Sequence, residues 1–165
     1  MAQITITIEG WDRIVQKYGK AAADQALTRA LEQTTEYTAK QVQMRIKGRH
    51  HVTGFLLSSI KGHVATTSSG SVFAEQGGGV YYAAFVEHGT GVWGPRGTPI
   101  VPRKAKALAW HPKTVTGRPD ANSRGIVRRS VQGQKPVKMF HETYEQDRGK
   151  IVEKFQSAFR SAFIH

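Results

Sequence analysis

Ile4, Ile6 and Ile8 alternate with Gln3, Thr5, Thr7 and Glu9. A period of two built on β-branched residues predicts a half-buried strand over residues 3–9. Gly10 ends it, and the period changes. From about Asp12 to Lys47 the chain reads as helix, with Ala21, Ala22, Ala23, Ala26, Leu27, Ala30 and Leu31 as strong formers on an apolar stripe that Val42 and Ile46 continue. Gly19 divides this stretch into a short and a long helix, and Gly48 is placed to stop it. Phe55–Val64 and Ser71–Gln76 read as paired strands around the turn-forming run Thr66–Gly70. Gly77–Gly79 breaks the chain. Tyr81–His88 fits a strand or a short helix, with the helix favoured, and Gly89 closes it.

Residues 89–99 and 112–125, rich in Gly, Pro, Thr, Asn and Arg, read as long loops around a short strand at Ala105–Trp110. Loops of such length in a compact domain usually carry function. Tyr144, Ile151, Val152, Phe155, Phe159 and Phe163 recur at three- and four-residue intervals, which predicts an amphipathic helix from about Met139 to Ala162. The expected architecture is α+β: a mostly antiparallel sheet packed by a long N-terminal helix and a C-terminal amphipathic helix, with long basic loops. One sheet is expected to cover both helical faces. The 165 residues fit a single domain, 1–165, with a basic loop-rich segment at 89–138.

Composition narrows the chemistry. The absence of cysteine removes disulfides, thiolate metal sites and thiol catalysis. No apolar run approaches the roughly 18 residues of a membrane span, and the N-terminus lacks a signal-peptide pattern; folding in bacterial cytoplasm is expected. The formal net charge is +12, and between Arg96 and Lys138 eleven Lys and Arg stand against Asp120 alone. One segment therefore carries ten of the twelve net charges. Such a stripe attracts anionic partners, nucleic acid and acidic protein surfaces alike.

Candidate catalytic patterns fail on spacing. The seven histidines (His50, His51, His63, His88, His111, His141, His165) never form His-Glu-x-x-His. Gly77–Gly79 is followed by Val80-Tyr81-Tyr82, not the Lys-Ser/Thr of a phosphate-binding loop. Gly-x-Ser-x-Gly is missing, and Glu75 and Glu87 stand isolated where a two-metal nuclease needs converging carboxylates. Neither catalysis, nor a metal, nor a cofactor is expected. Trp93 and Trp110 accompany the basic segment, a combination that suits single-stranded nucleic acid, although no nucleic-acid-binding motif is present. The plainer reading is a solvated basic loop packed on an acidic neighbour.

Four stretches, in order, resemble the tail-component or tail-completion family of long-tailed phages, which includes proteins similar to the minor tail protein Z of phage lambda. They are Thr53-Gly54-Phe55-Leu56-Leu57-Ser58-Ser59-Ile60, Tyr82-Ala83-Ala84-Phe85-Val86-Glu87-His88-Gly89-Thr90, Ile100-Val101-Pro102-Arg103-Lys104-Ala105-Lys106-Ala107-Leu108-Ala109-Trp110, and Gly133-Gln134-Lys135-Pro136-Val137-Lys138-Met139-Phe140. The first is similar to the family's Thr-Gly-x-Leu-x-x-Ser-Ile entry into its sheet, and Arg103 stands where the family has lysine. The resemblance implies a structural virion protein without enzymatic activity, a homo-oligomeric ring, commonly six-fold, at the junction of head and tail. Its partners would be copies of itself and other neck and tail-tube proteins, with no membrane.

Tyr82, Glu87, His88, Gly89, Thr90 and Trp93 are the protein-interface candidates, because a tight glycine turn edged by a charge suits contact with a neighbour. Glu87 equally fits a simple pair with a lysine. Arg103, Lys104, Lys106, Arg128 and Arg129 are the candidates for lining a lumen and touching DNA phosphates without reading sequence. The alternative is a basic nucleic-acid-binding module without catalysis.

Overall fold

The structure, a computed structural model, describes residues 8–47, 54–75, 82–111 and 124–163, with the backbone alone at Phe55 and Tyr82. Its elements are α1 (Trp11–Tyr18), α2 (Lys20–Lys47), α3 (Gly54–Ser59), β1 (Ile60–Thr66), β2 (Ser69–Ala74), α4 (Tyr82–His88), a 3₁₀ turn (Gly91–Trp93), β3 (Leu108–Trp110), β4 (Ile126–Arg128) and α5 (Met139–Ser161). The fold is α+β, as expected. Of the strand expected over residues 3–9, only Ile8 and Glu9 are described; they lie outside any strand, and Ile8 packs on the core. Gly48 and Gly77–Gly79 lie outside the described residues.

Gly19 separates α1 from α2. Its φ of 84° and ψ of 152° suit glycine alone, while its N–H still bonds the Val15 carbonyl at 2.8 Å. Along α2, Ala23, Ala26 and Ala30 form a stripe of small buried residues. Their size lets Phe155, Ala158 and Phe159 of α5 approach closely, with Trp11, Ile14, Leu27, Leu31 and Phe163 completing this cluster. A second cluster joins Ala39, Val42 and Ile46, at the other end of α2, to Leu56, Ile60, Val86, Val137 and Met139. Early α2 meets late α5, and late α2 meets early α5; the two long helices are antiparallel.

Beside the second cluster, Arg45 clamps the helices together. Its Nη2 reaches Asp147 Oδ2 at 2.6 Å and its Nη1 donates to Gln146 Oε1 at 2.9 Å. Asp147 is 7% exposed, so this pair binds tightly wherever its alternative is a buried lone charge.

Two expectations need correction. Gly54–Ser59 is a helical turn, with the strand beginning only at Ile60. Phe55, Leu56, Leu57 and Ile60 do not alternate; their spacing is that of a helix, and Leu56 and Ile60 are buried together. Gln43 Nε2 donates to the carbonyls of Leu57 and Ile60 at 3.0 and 3.1 Å and satisfies the end of that turn. Nor does one sheet cover two helices. Among the described residues there are two separate two-stranded antiparallel sheets, β1–β2 and β3–β4, and α2 covers α5 directly.

The β1–β2 hairpin turns at Thr67–Ser68, tighter than the predicted Thr66–Gly70. It lies across the middle of α2. A Cβ on Gly62 would sit 2.6 Å from the Thr35 carbonyl carbon, and one on Gly70 would sit 2.7 Å from Thr35 Cγ2, so both glycines are set by this crossing. Ile60, Val72 and Ala74 face inward, while Phe73 and His63 meet edge to face on the exposed side. The strand expected at Ala105–Trp110 shortens to Leu108–Trp110, because residues 103–107 form a series of bends.

Candidate functional site

The candidate residues gather where α4 ends and α5 begins. Glu87, in the last turn of α4, sends both carboxylate oxygens into the first turn of α5: Phe140 N–H donates to Oε2 at 2.9 Å and His141 N–H to Oε1 at 3.0 Å. The residue before that helix, Lys138, is left-handed (φ 54°) and contributes no side-chain cap. Glu87 is therefore the cap of a helix that starts 52 positions later (139 less 87), and its negative charge suits the positive end of the helix. The sequence did not suggest this capping role. The main chain reinforces the junction, with Val137 N–H bonded to Val86 O at 2.7 Å and Lys138 N–H to Glu87 O at 3.3 Å.

After Gly89 the chain runs alongside residues 131–136. Thr90 exchanges two bonds with Gln134: its N–H donates to the Gln134 carbonyl at 2.9 Å, and its Oγ1 accepts the Gln134 N–H at 2.8 Å. Val92 N–H adds a bond to Gln132 O at 2.8 Å. The backbones touch. A Cβ on Gly91 would lie 2.0 Å from Gln132 O, and one on Gly133 would lie 2.2 Å from Thr90 O; both glycines also have positive φ, 63° and 92°. Gly89 and Thr90, expected at an interface, make these close contacts within the chain.

Beside this junction lies an open cleft of about 480 Å³. Trp93, Pro95 and Pro136 form apolar walls, and His88, Lys138 and His141 line the remainder along with Glu87. The Trp93 ring is 43% exposed, and Lys135 Nζ sits 4.7 Å from its centroid. Of the predicted interface residues, Glu87, His88 and Trp93 meet here, while the side chain of Tyr82 is not described. Lys135, Pro136, Lys138 and His141 went unrecognised as partners. They lie more than forty positions downstream of the α4 turn, and no local period links them to it.

Beyond the junction, residues 95–111 and 124–130 form an arm. The bridge Ile100↔Val131 and the pairs Leu108↔Arg128, Ala109↔Val127 and Trp110↔Ile126 make it a narrow antiparallel ribbon. Seven residues, 101–107, bulge opposite only Arg129 and Ser130, and this mismatch brings Arg103, Lys104 and Lys106 to the same stretch of ribbon as Arg128 and Arg129. All five are exposed. The cations predicted from the sequence are thus neighbours along the ribbon, with Arg128 and Arg129, consecutive on an extended segment, directed to opposite faces. The strands of the arm pack on each other and make no more than marginal contact with the helices. Val101, Trp110 and Val127 remain 58%, 40% and 57% exposed. Residues 112–123 lie outside the described residues.

Among the described residues no three His, Asp or Glu side chains converge as a metal site, and no helix is long and apolar enough to cross a membrane. Residues 12–89 match the family model described as "Bacteriophage HK97-gp10, putative tail-component". The matched region runs from α1 to the glycine turn after α4, just under half of the chain; the arm and α5 follow it. No curated protein and no solved structure matches the chain.

Proposed function

We propose that this chain, whose residues 12–89 match the family model described as "Bacteriophage HK97-gp10, putative tail-component", completes the tail as a homo-oligomeric ring at the head–tail junction. The family supports the coarse statement, a structural component associated with the virion. The finer reading rests on one observation: a helical body carrying a basic arm whose described strands make at most marginal contact with the helices. A two-stranded ribbon is marginal by itself in water, so an arm with exposed Val101, Trp110 and Val127 is suited to being covered by neighbours in an assembly.

In this reading the body builds the protomer, commonly one of six, and the arm reaches neighbouring protomers or the adjoining neck and tail-tube proteins. Arg103, Lys104, Lys106, Arg128 and Arg129 line the channel and meet phosphates of passing DNA without reading bases. The chain works by contact, without catalysis. Electron microscopy of virions carrying a tagged chain tests this reading: a ring of tags at the neck supports it, and tags along the tube, or none in the virion, refute it. Reversing Arg103, Lys104, Arg128 and Arg129 to glutamate should leave rings intact and impair DNA passage. Undiminished infectivity would remove the channel role.

The competing reading is a basic nucleic-acid-binding module, favoured by the same cationic residues. It requires the purified chain to bind duplex or single strands with an affinity that falls steeply with salt.

A further inference from the structure

We infer that the cleft between Trp93 and the start of α5 is a docking site for an acidic, extended peptide segment of a neighbouring virion protein. This rests on the structural reading above only for the source of the partner. The chemistry comes from the cleft. Lys138, His88 and His141 surround it, and Lys135 lies over the Trp93 ring at its edge. Its one carboxylate, Glu87, already accepts two N–H groups from α5. What remains on offer to an anionic ligand is the ammonium group of Lys138, with that of Lys135 at the edge, and the imidazole N–H donors of His88 and His141.

Three features favour a peptide over the alternatives. First, Trp93, Pro95 and Pro136 stand among the cations. These flat apolar walls fit the methylene stems of glutamate side chains and an extended backbone, whereas a phosphate gains nothing from them. Second, the site is concave and about 480 Å³. That volume suits a few side chains, and a duplex about 20 Å across cannot enter it. Third, a second copy of the chain is a poor donor of charge. Outside residues 89–138 thirteen basic residues balance eleven acidic ones, so another copy offers no net negative surface. The counter-charge comes from a different protein.

Fluorine NMR of the purified full chain labelled with 5-fluorotryptophan tests this, since Trp11, Trp93 and Trp110 are its only tryptophans. The probe is a blocked dodecapeptide of alternating glutamate and aspartate. The Trp93 resonance, assigned with W93F, should move to saturation while Trp11, in the helical core, stays in place. The pair K138E and H141E should weaken binding by about tenfold or more, and K135E alone should weaken it less. Reversal of Arg103, Lys104, Arg128 and Arg129 should change it by less than about threefold, as expected for charges outside the site. An unmoved Trp93 resonance overturns the proposal. So does an equal Trp93 response to a twelve-base-pair duplex, or undiminished binding by both K138E/H141E and K135E. The titration needs no ring and no virion. A failure here therefore leaves the neck location standing, and absence from virions would sink that location without touching the titration.

Discussion

Replacing Glu87 by alanine removes the side-chain cap of α5 seen among the described residues. Two N–H groups, those of Phe140 and His141, lose acceptors at 2.9 and 3.0 Å. His141 is exposed, so water replaces its bond. Phe140 is half-buried, and its N–H is harder to satisfy. Loss of a helix cap costs roughly 0.5–2 kcal/mol, and loss of a negative charge at a helix N-terminus about 0.3–1 kcal/mol more. Lys138, held left-handed in front of the helix, offers no substitute. The expected destabilisation is about 2 kcal/mol, which for a chain of this size lowers Tm by about 4–8 °C. E87Q keeps one carbonyl acceptor and should lose about half as much. Urea denaturation gives the free energy, and amide hydrogen exchange gives the location: protection should fall first at residues 140 and 141. An unchanged midpoint with unchanged exchange at both amides would refute the capping role.

G91A should cost roughly 3 kcal/mol or more, since the added Cβ strikes Gln132 O and the backbone is left-handed there; chemical denaturation measures it, and a loss below about 1 kcal/mol would mean the two chain segments separate easily. R45A should destabilise by about 3 kcal/mol by stranding Asp147 against α2; a double-mutant cycle with D147N should show the coupling in the same denaturation assay. F155A should cost about 3–4 kcal/mol, because the helix–helix contact around Ala26 and Ala30 cannot collapse to fill the space. The fourfold glutamate reversal in the arm should shift thermal unfolding by no more than about 2 °C, as expected for exposed side chains away from the core.

The helices were legible because their signal is local. The alanine stripe of α2 and the phenylalanines of α5 repeat at helical intervals, and the structure buries Ala26, Ala30, Phe155 and Phe159 against one another. Gly19 marked its break through chemistry that only glycine tolerates. At Gly54–Ser59 the apolar spacing never alternates, and the chain forms a helical turn where a strand over Phe55–Val64 is expected. The division into two sheets left no local trace, since it depends on which surface α5 covers. The candidate site was half legible. Glu87, His88 and Trp93 lie close in sequence and in space, but the role of Glu87 depends on amides in a distant helix. Arg45 and Asp147, which join the long helices, carry no signal in the sequence; pairing across separate elements is invisible to periodicity.

The arm leaves the body and returns to it at nearly one point. Thr90 and Gln134 are joined directly, so the intervening segment is a loop whose ends are already stapled. Closing a loop becomes costlier only with the logarithm of its length, about 0.6 kcal/mol for each doubling. Insertions or deletions beyond Pro95 and before Ser130 therefore leave the helical body almost untouched. Variants of this subunit can gain or lose reach one residue at a time, and a grafted or shortened arm should fold on the same unchanged base.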